Sequence, residues 1–511
     1  MFCKVLSGVL KGIEGHIIQV EADVSDGLPA FDMVGLLSSE VKESKERVRT
    51  SLKNSGFKIP PKRITINLSP ADIRKEGSSY DLPIAIAILE NLGYIPPDNM
   101  KNILIIGELS LNGVVNPVKG ILPIVIAAKE YGCTTCIIPQ ENVGEGAIID
   151  GIDIFGVHTI IEVVEILTGQ KIKEPAYVDK EKLFVEKNKE NVFDFSEVNG
   201  QETLRRAAEV AAAGMHNLLM IGPPGSGKTM VAKRIPTILP MLTLEESIEI
   251  TKIYSVSGLL YNGESLVLNR PFRSPHHTIT ANALIGGGRI PRPGEITLSN
   301  HGILFLDELP EFNRNALEIL RQPIEDRKVQ ISRVSGTYIF PTNIMLVAAM
   351  NPCKCGFYPD RDRCNCSPVE LEKYFNKISS PLLDRIDMSI EVPPLNYREI
   401  REVKKNESSD SIRKRVEKAR KIQSRRFRDK EIHFNCEISP KELSLYCKLG
   451  KKEIEIMEKA FVQMNLSARA YHRILKVSRT IADLDGTETI NVSHLSEAIF
   501  YRNINTKYRG N

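Results

Sequence analysis

The chain has no apolar run approaching the roughly 20 residues that cross a bilayer as a helix, which sets a membrane-spanning role aside. Its first residues, MFCKVLSGVLKGIEGHIIQVEADV, bring charges and glycines too early for a secretory signal, so the expected location is the cytoplasm. Internal repeats and low-complexity tracts are also missing. Charge of one sign is scarce: a formal net charge of +4 on 511 residues gives no global attraction to nucleic acid, and any such surface has to be local. Hydrophobic content of 42% and charged content of 26% are those of an ordinary globular protein. In a reducing compartment, nine cysteines point to metal binding or plain burial before disulfides.

A chain of 511 residues exceeds one hydrophobic core, and roughly two to four units are expected. Residues 1–170 alternate β-like runs (HIIQVEADV, RITINLS, ILIIGEL, CIIP) with apolar helical stretches (LPIAIAILENLG, ILPIVIAAKEYG), the pattern of an α/β or α+β domain. Residues 171–196 are charged and read as a linker. A second α/β region spans 197–394, with strands LLMIG, ILFLDE and IMLVAAMN. Residues 395–511 are helical by periodicity, most clearly in SARAYHRILKVSRTIADL.

The segment LLMIGPPGSGKTMVAKRI is an apolar strand, a glycine-rich turn and a helix start. In that context G-x-x-x-x-G-K-[ST] reads as a phosphate-binding loop. Gly222, Gly225 and Gly227 let the backbone approach phosphates, and Pro223, Pro224 and Ser226 complete the loop. Lys228 brings positive charge to the outer phosphates of ATP, and the Thr229 hydroxyl can ligate Mg²⁺. GILFLDE, residues 302–308, is an apolar strand ending in two carboxylates. Asp307 can hold the Mg²⁺ shell while Glu308 orients the attacking water; strand-end acids also occur as solvated caps. A third strand ends on Asn351, a polar group placed to touch the γ-phosphate or the water. In LLDRIDM, Arg385 stands between two acids. It is either a surface ion pair of little energetic weight or an arginine finger that stabilises transition-state charge in a neighbour's site.

GPPGSGKT, ILFLDE, Asn351 and SPLLDRID resemble Walker A, Walker B, sensor 1 and the arginine finger of AAA+ ATPases. RPGEITLSNHGILFLDELPEF (292–312) resembles the magnesium-chelatase clade among them. Together with RPFRSPHHTIT (270–280) and AAAGMHNLLMIGPPGSGKT (211–229), it makes the chain most similar to the YifB/ComM family of chelatase-like ATPases, over essentially its whole length. The resemblance implies a P-loop AAA+ core with a parallel sheet, a helical C-terminal lid, and ATP with Mg²⁺ as cofactors. It further implies a homo-hexameric ring whose active sites lie between subunits. It places a sensor 2 arginine at Arg469 in SARAYHRIL, with Arg473 one helical turn on as the competing choice.

Residues 74–88 (RKEGSSYDLPIAIAI) and 107–142 resemble the proteolytic domain of Lon. Ser79 takes the place of its nucleophile, but Leu122 takes that of its lysine base. A serine with no base is a poor nucleophile, and Lys119, three residues earlier, should face elsewhere. The expected amino-terminal domain is therefore a catalytically dead, Lon-protease-like α+β scaffold for binding partners or DNA.

NPCKCGFYPDRDRCNC holds Cys353, Cys355, Cys364 and Cys366 as C-x-C, eight residues, C-x-C. Four thiolates suit a closed structural Zn²⁺ site, although C-x-C is tighter than the usual spacing; a loop of reduced thiols is the other reading. Cys133 and Cys136 flank a predicted strand, where burial is expected. Residues 411–428, SIRKRVEKARKIQSRRFR, carry nine Lys or Arg against one Glu, either as a solvated face or as a phosphate-binding one. DRKVQISRVSGTYIFPTN (326–343) reads as a hairpin turning at Val334-Ser335-Gly336. Related ring helicases grip DNA with such a hairpin, which makes Lys328 and Arg333 candidate grips. The family is associated with DNA branch migration in natural transformation, so the resemblance implies an ATP-dependent translocase on branched or single-stranded DNA. The alternatives are a chelatase-type motor that inserts metal into a tetrapyrrole, and a chaperone-like regulatory ATPase.

Overall fold

The computed structural model describes residues 2–187, 193–260, 264–333, 336–395 and 406–502. The chain divides into two units, Met1–Lys187 with Leu244–Leu268, and Asn188–Thr243 with Asn269–Asn511.

The first unit is built on a seven-stranded mixed sheet. Its order is Ala30–Val34, Arg63–Ser69, Glu14–Ser25, Phe2–Lys11, Ile103–Ile105, Thr135–Pro139, Asp153–Val157. Phe2–Lys11 and Glu14–Ser25 pair antiparallel, from Phe2↔Asp23 to Lys11↔Glu14, and the last four strands run parallel. Period-two alternation sends Val5 and Val9 into one core and Leu6 and Leu10 against the other. Helix Asp81–Asn91 is apolar on nearly every side and is almost wholly buried, as a helix without a polar face must be.

Two segments pack differently from the sequence reading. Helix Leu244–Ser257, taken there as part of the ATPase core, belongs to the first unit and packs on helix Ile121–Tyr131. The Ser255 hydroxyl donates to the buried Glu145 carboxylate at 2.6 Å. Leu266 and Leu268 then join Ile148 in an apolar cluster with Ile248. Part of the presumed linker does the same: Lys180–Lys187 is a helix that lays Leu183 and Phe184 on that cluster. Residues 188–192 of the linker lie outside the described residues.

The second unit holds a five-stranded parallel sheet in the order Phe272–Arg273, Ile303–Leu306, Met345–Met350, Leu218–Ile221, Met388–Glu391. Its three central strands are buried throughout, which is why they read as unbroken apolar runs. The C-terminal region is helical. Val416 of Ser409–Arg426, Ile474 and Val477 of Ala468–Leu484, and Leu495 of Val492–Phe500 share one core with Leu218, Met220 and Val347. Ser408, Ser467 and Asn491 accept the backbone N–H of Ser411, Ala470 and His494, fixing where these three helices start. Among the described residues, no helix is long and apolar enough to cross a membrane.

Candidate functional site

Parallel pairing of Leu218–Ile221, Ile303–Leu306 and Met345–Met350 brings their carboxyl ends to one edge of the sheet, where open α/β sheets place ligands. Gly222 opens the glycine loop there, and its N–H donates to the Met350 carbonyl at 3.2 Å. A Cβ at Gly222 would collide with the Val392 carbonyl, so only glycine fits. The Lys228 ammonium donates to the carbonyls of Gly222 (2.7 Å) and Pro223 (2.9 Å), and lies 3.4 Å from Asn351 Oδ1. Burial lowers its pKa, against the opposing pull of Asp307. Thr229 Oγ1 donates to Asp307 Oδ2 at 2.8 Å. Neighbouring ligands of an octahedral Mg²⁺ stand about 3 Å apart, so this hydroxyl–carboxylate pair suits that ion.

Glu308 follows with φ of 52°, in the left-handed region. Holding a non-glycine residue there costs about 1–3 kcal/mol and is a feature of functional sites. Its carboxylate is 59% exposed and meets His277 Nδ1 at 3.5 Å. The His276 ring lies against His277 at 4.0 Å between centroids, and Phe312 meets His277 edge-on. The sequence reading gave His277 no role. It lies in RPFRSPHHTIT (270–280), quoted only for the family resemblance; the parallel pair Phe272↔Ile303 carries the chain after Phe272–Arg273 toward the Glu308 strand end. Gln201 was also missed: its Nε2 donates to Ser226 O (3.2 Å) and Pro393 O (2.7 Å), bridging the loop to the end of the neighbouring strand.

The arginines divide by environment. Arg385 is buried and donates to Glu325 at 2.7 Å, and to the carbonyls of Arg321 and Pro381. Neither flanking acid is its partner, because Asp384 pairs with Arg502 and Asp387 with Arg473. Burial would raise the Asp387 carboxyl. The Arg473 charge, His216 and the Asn217 N–H outweigh it and hold the group well below the usual carboxylate range. Arg469, in the first turn of Ala468–Leu484, is exposed.

The expected hairpin pairs Lys328–Arg333 with Gly336–Pro341; Val334 and Ser335 at its tip lie outside the described residues. Lys328 and Arg333 are both exposed, and Arg333 Nε donates to the Gly288 carbonyl at 3.2 Å. Gly288 belongs to the turn of a second hairpin, Gly286–Gly287 with Arg292–Pro293, which exposes Arg289 and Arg292. Its strands are too short to leave a periodic signal, and only the glycine run GGG marked a turn. Much of the basic run on helix Ser409–Arg426 is committed within its own unit. Arg413 and Lys414 pair with Asp410, Arg415 with Glu209 and Glu407, Arg426 with Asp483, and Arg420 stacks 3.6 Å from the Phe434 ring.

The sulfurs of Cys353, Cys355, Cys364 and Cys366 all lie within 4.8 Å of one another. Cys133 and Cys136 are buried, and burial pushes both thiols up. In the first unit Ser79 is half-buried, and Leu122 is fully buried with its N–H toward Glu145. Lys119 is exposed, and its aliphatic chain runs beside Gly258.

The magnesium chelatase subunit ChlI family model matches residues 194–400, a further model of subunit ChlI of Mg-chelatase matches 20–142, and that of the ChlI C-terminal region matches 406–502. Competence protein ComM of Haemophilus influenzae is 42% identical over 500 residues, covering 98% of this chain and 97% of that protein. The Escherichia coli protein YifB is 40% identical over 498 residues, 96% and 95% of the two chains. Lon protease 2 of Bacillus subtilis is 32% identical over 211 residues, 36% of each chain.

Proposed function

The chain belongs to the magnesium-chelatase-like AAA+ family that includes ComM and YifB, and from that premise we propose that it is a cytoplasmic, ATP-hydrolysing ring motor that moves on or remodels DNA during recombination or natural transformation. Membership implies ATPase activity. The observation that carries the residue assignment is the joint contact of Thr229 with Asp307 and of Lys228 with Asn351, which gathers the three strand ends around the glycine loop. In this reading the Gly222–Thr229 loop cradles the ATP phosphates. Thr229 and Asp307 hold Mg²⁺, which supplies charge neutralisation to the phosphates when bound. Glu308 orients the attacking water and accepts its proton, and Asn351 fixes the γ-phosphate or that water. Arg385 and Arg469 complete the site, Arg385 from a neighbouring subunit of a hexamer.

The first unit serves as a non-proteolytic scaffold. Leu122 stands where a lysine base is needed and is fully buried, and leucine accepts no proton. The four cysteines hold a structural Zn²⁺. DNA meets the paired hairpins through Lys328 and Arg333, with Arg289 and Arg292 beside them; the Arg333–Gly288 bond that joins the hairpins supports this grouping. The ATPase rate with and without single-stranded or forked DNA, at several salt concentrations, tests the reading. Stimulation and salt-sensitive binding are expected, with Lys328→Ala and Arg333→Ala each reducing the salt slope by about one. A rate indifferent to DNA, with no salt-sensitive binding, counts against it. The family models' own description, a chelatase subunit, favours a second reading as a metal-insertion motor, which predicts that indifferent result.

A further inference from the structure

We propose that one Zn²⁺ held by Cys353, Cys355, Cys364 and Cys366 sets the position of the glycine loop, so that metal loading controls nucleotide affinity; this rests on reading Gly222–Thr229 as the ATP site. A tetrahedral ion with Zn–S bonds of about 2.3 Å holds its sulfurs about 3.8 Å apart. The Cys353 sulfur lies 3.2 Å from that of Cys355 and 3.7 Å from that of Cys364, and no pair among the four exceeds 4.8 Å. Iron–sulfur clusters spread their thiolates over several irons, so a cage this small closes on a single ion. The N–H groups of Gly356 (3.2 Å) and Tyr358 (3.4 Å) point at the Cys353 sulfur, the outer support that an anionic ligand takes.

Two routes lead from this cage to the nucleotide loop. Asn351, which meets Lys228 Nζ at 3.4 Å, is two residues before the first ligand. Gly356, next to Cys355, has φ of 90°, and a Cβ there would stand 2.7 Å from Cδ of Pro224. The turn between the ligand pairs thus abuts the glycine loop at a proline, whose ring is stiff and yields little. Residues 353–366 form turns and bends with no helix or strand, so a metal is what fixes both contact points; folding energy supplied by a bound ion is the general rule for such loops.

The test uses the full-length protein. Zinc is measured by mass spectrometry, and affinity for a fluorescent ATP analogue is measured as purified, after chelation, and after zinc is returned. About one equivalent of zinc is expected, with affinity falling on the order of tenfold or more on stripping and recovering on reloading. Cys366→Ser should reproduce the stripped state. Gly356→Val should keep its zinc yet bind nucleotide more weakly, which separates loop position from metal content. Less than half an equivalent of zinc, or iron in its place, overturns the metal site. Full zinc with unchanged affinity in both the stripped protein and Gly356→Val overturns the coupling and leaves the ATP site standing. Absence of nucleotide binding by the zinc-loaded protein refutes the ATP site itself.

Discussion

Replacing Asp387 by Asn should loosen the C-terminal helices from the parallel sheet. The Asp387 side chain is 4% exposed and stands just before strand Met388–Glu391, while its ion-pair partner Arg473 comes from helix Ala468–Leu484. Its second oxygen accepts the Asn217 N–H at 2.9 Å. Removing one member of a buried ion pair costs about 3–5 kcal/mol. Asparagine keeps an acceptor for Asn217, worth about 1 kcal/mol, so a loss of about 2–4 kcal/mol is expected. Arg473 is 17% exposed, and water reaching its guanidinium favours the lower part of that range. Amide exchange in residues 468–484 should then quicken about 30-fold or more. The sign with pH follows from the depressed carboxyl. Stabilisation is fully present above the unfolded value near 3.9 and is lost as pH falls through the lower folded value. The gap between wild type and variant should close in acid, as the Asp387 carboxyl takes up its proton. A variant whose helix exchanges at the wild-type rate, or a gap that closes near neutrality, would refute the reasoning. The double variant Asp387→Asn, Arg473→Met should be less unstable than the sum of its parts.

Glu308→Gln should bind ATP while turning it over about 10²–10⁴ times more slowly; undiminished turnover would remove Glu308 from the water-orienting role. His277→Ala should lower kcat about tenfold with nucleotide affinity unchanged. His277→Gln, which keeps a side chain able to hydrogen-bond Glu308, should restore part of the rate, whereas equal loss in both variants would point to a merely structural histidine. Arg385→Ala should be inactive alone, by about 10³ or more, yet regain activity when mixed with Lys228→Ala. Each variant then supplies the half-site that the other lacks, and a mixture as dead as its components would place Arg385 in its own subunit's site.

The residues at the strand ends were legible because each signal is local. Asp307 and Asn351 directly follow apolar strands of four and six residues, and Lys228 and Thr229 follow another of four across the glycine loop; parallel pairing alone is enough to bring such ends together. What the sequence concealed are contacts that carry no period. The Glu325–Arg385 and His277–Glu308 pairs each join residues far apart in the chain, and nothing in LLDRIDM says that its arginine ignores both neighbouring acids. Helix Leu244–Ser257 shows the same limit at larger scale. Amphipathic spacing reveals which residues seek burial and not which unit receives them, so a helix emerging from the ATPase region could dock on Glu145 unannounced. In the presumed linker, charge averaged over the window hid Leu183 and Phe184, the two side chains that decide its packing.

The three candidate arginines differ in what each must give up to reach an anion in the proposed ring. Arg473 is tied to a buried carboxylate that also holds the Asn217 N–H, so its release would leave Asp387 charged and unpaired in the core. Arg469 is exposed on a first helical turn and, among the described residues, gives up only water. Arg385 stands between them. It is buried, but its partner Glu325 has a side chain 40% exposed, so that carboxylate can be rehydrated when the guanidinium leaves. Its departure also releases the Arg321 and Pro381 carbonyls, but exchange of one carboxylate for a phosphate keeps its charge paired, and the planar fork suits either anion. In the proposed ring the difference in cost favours Arg469 and Arg385 as the charges that answer a nucleotide, while Arg473 ties its helix to the strand end at Asp387.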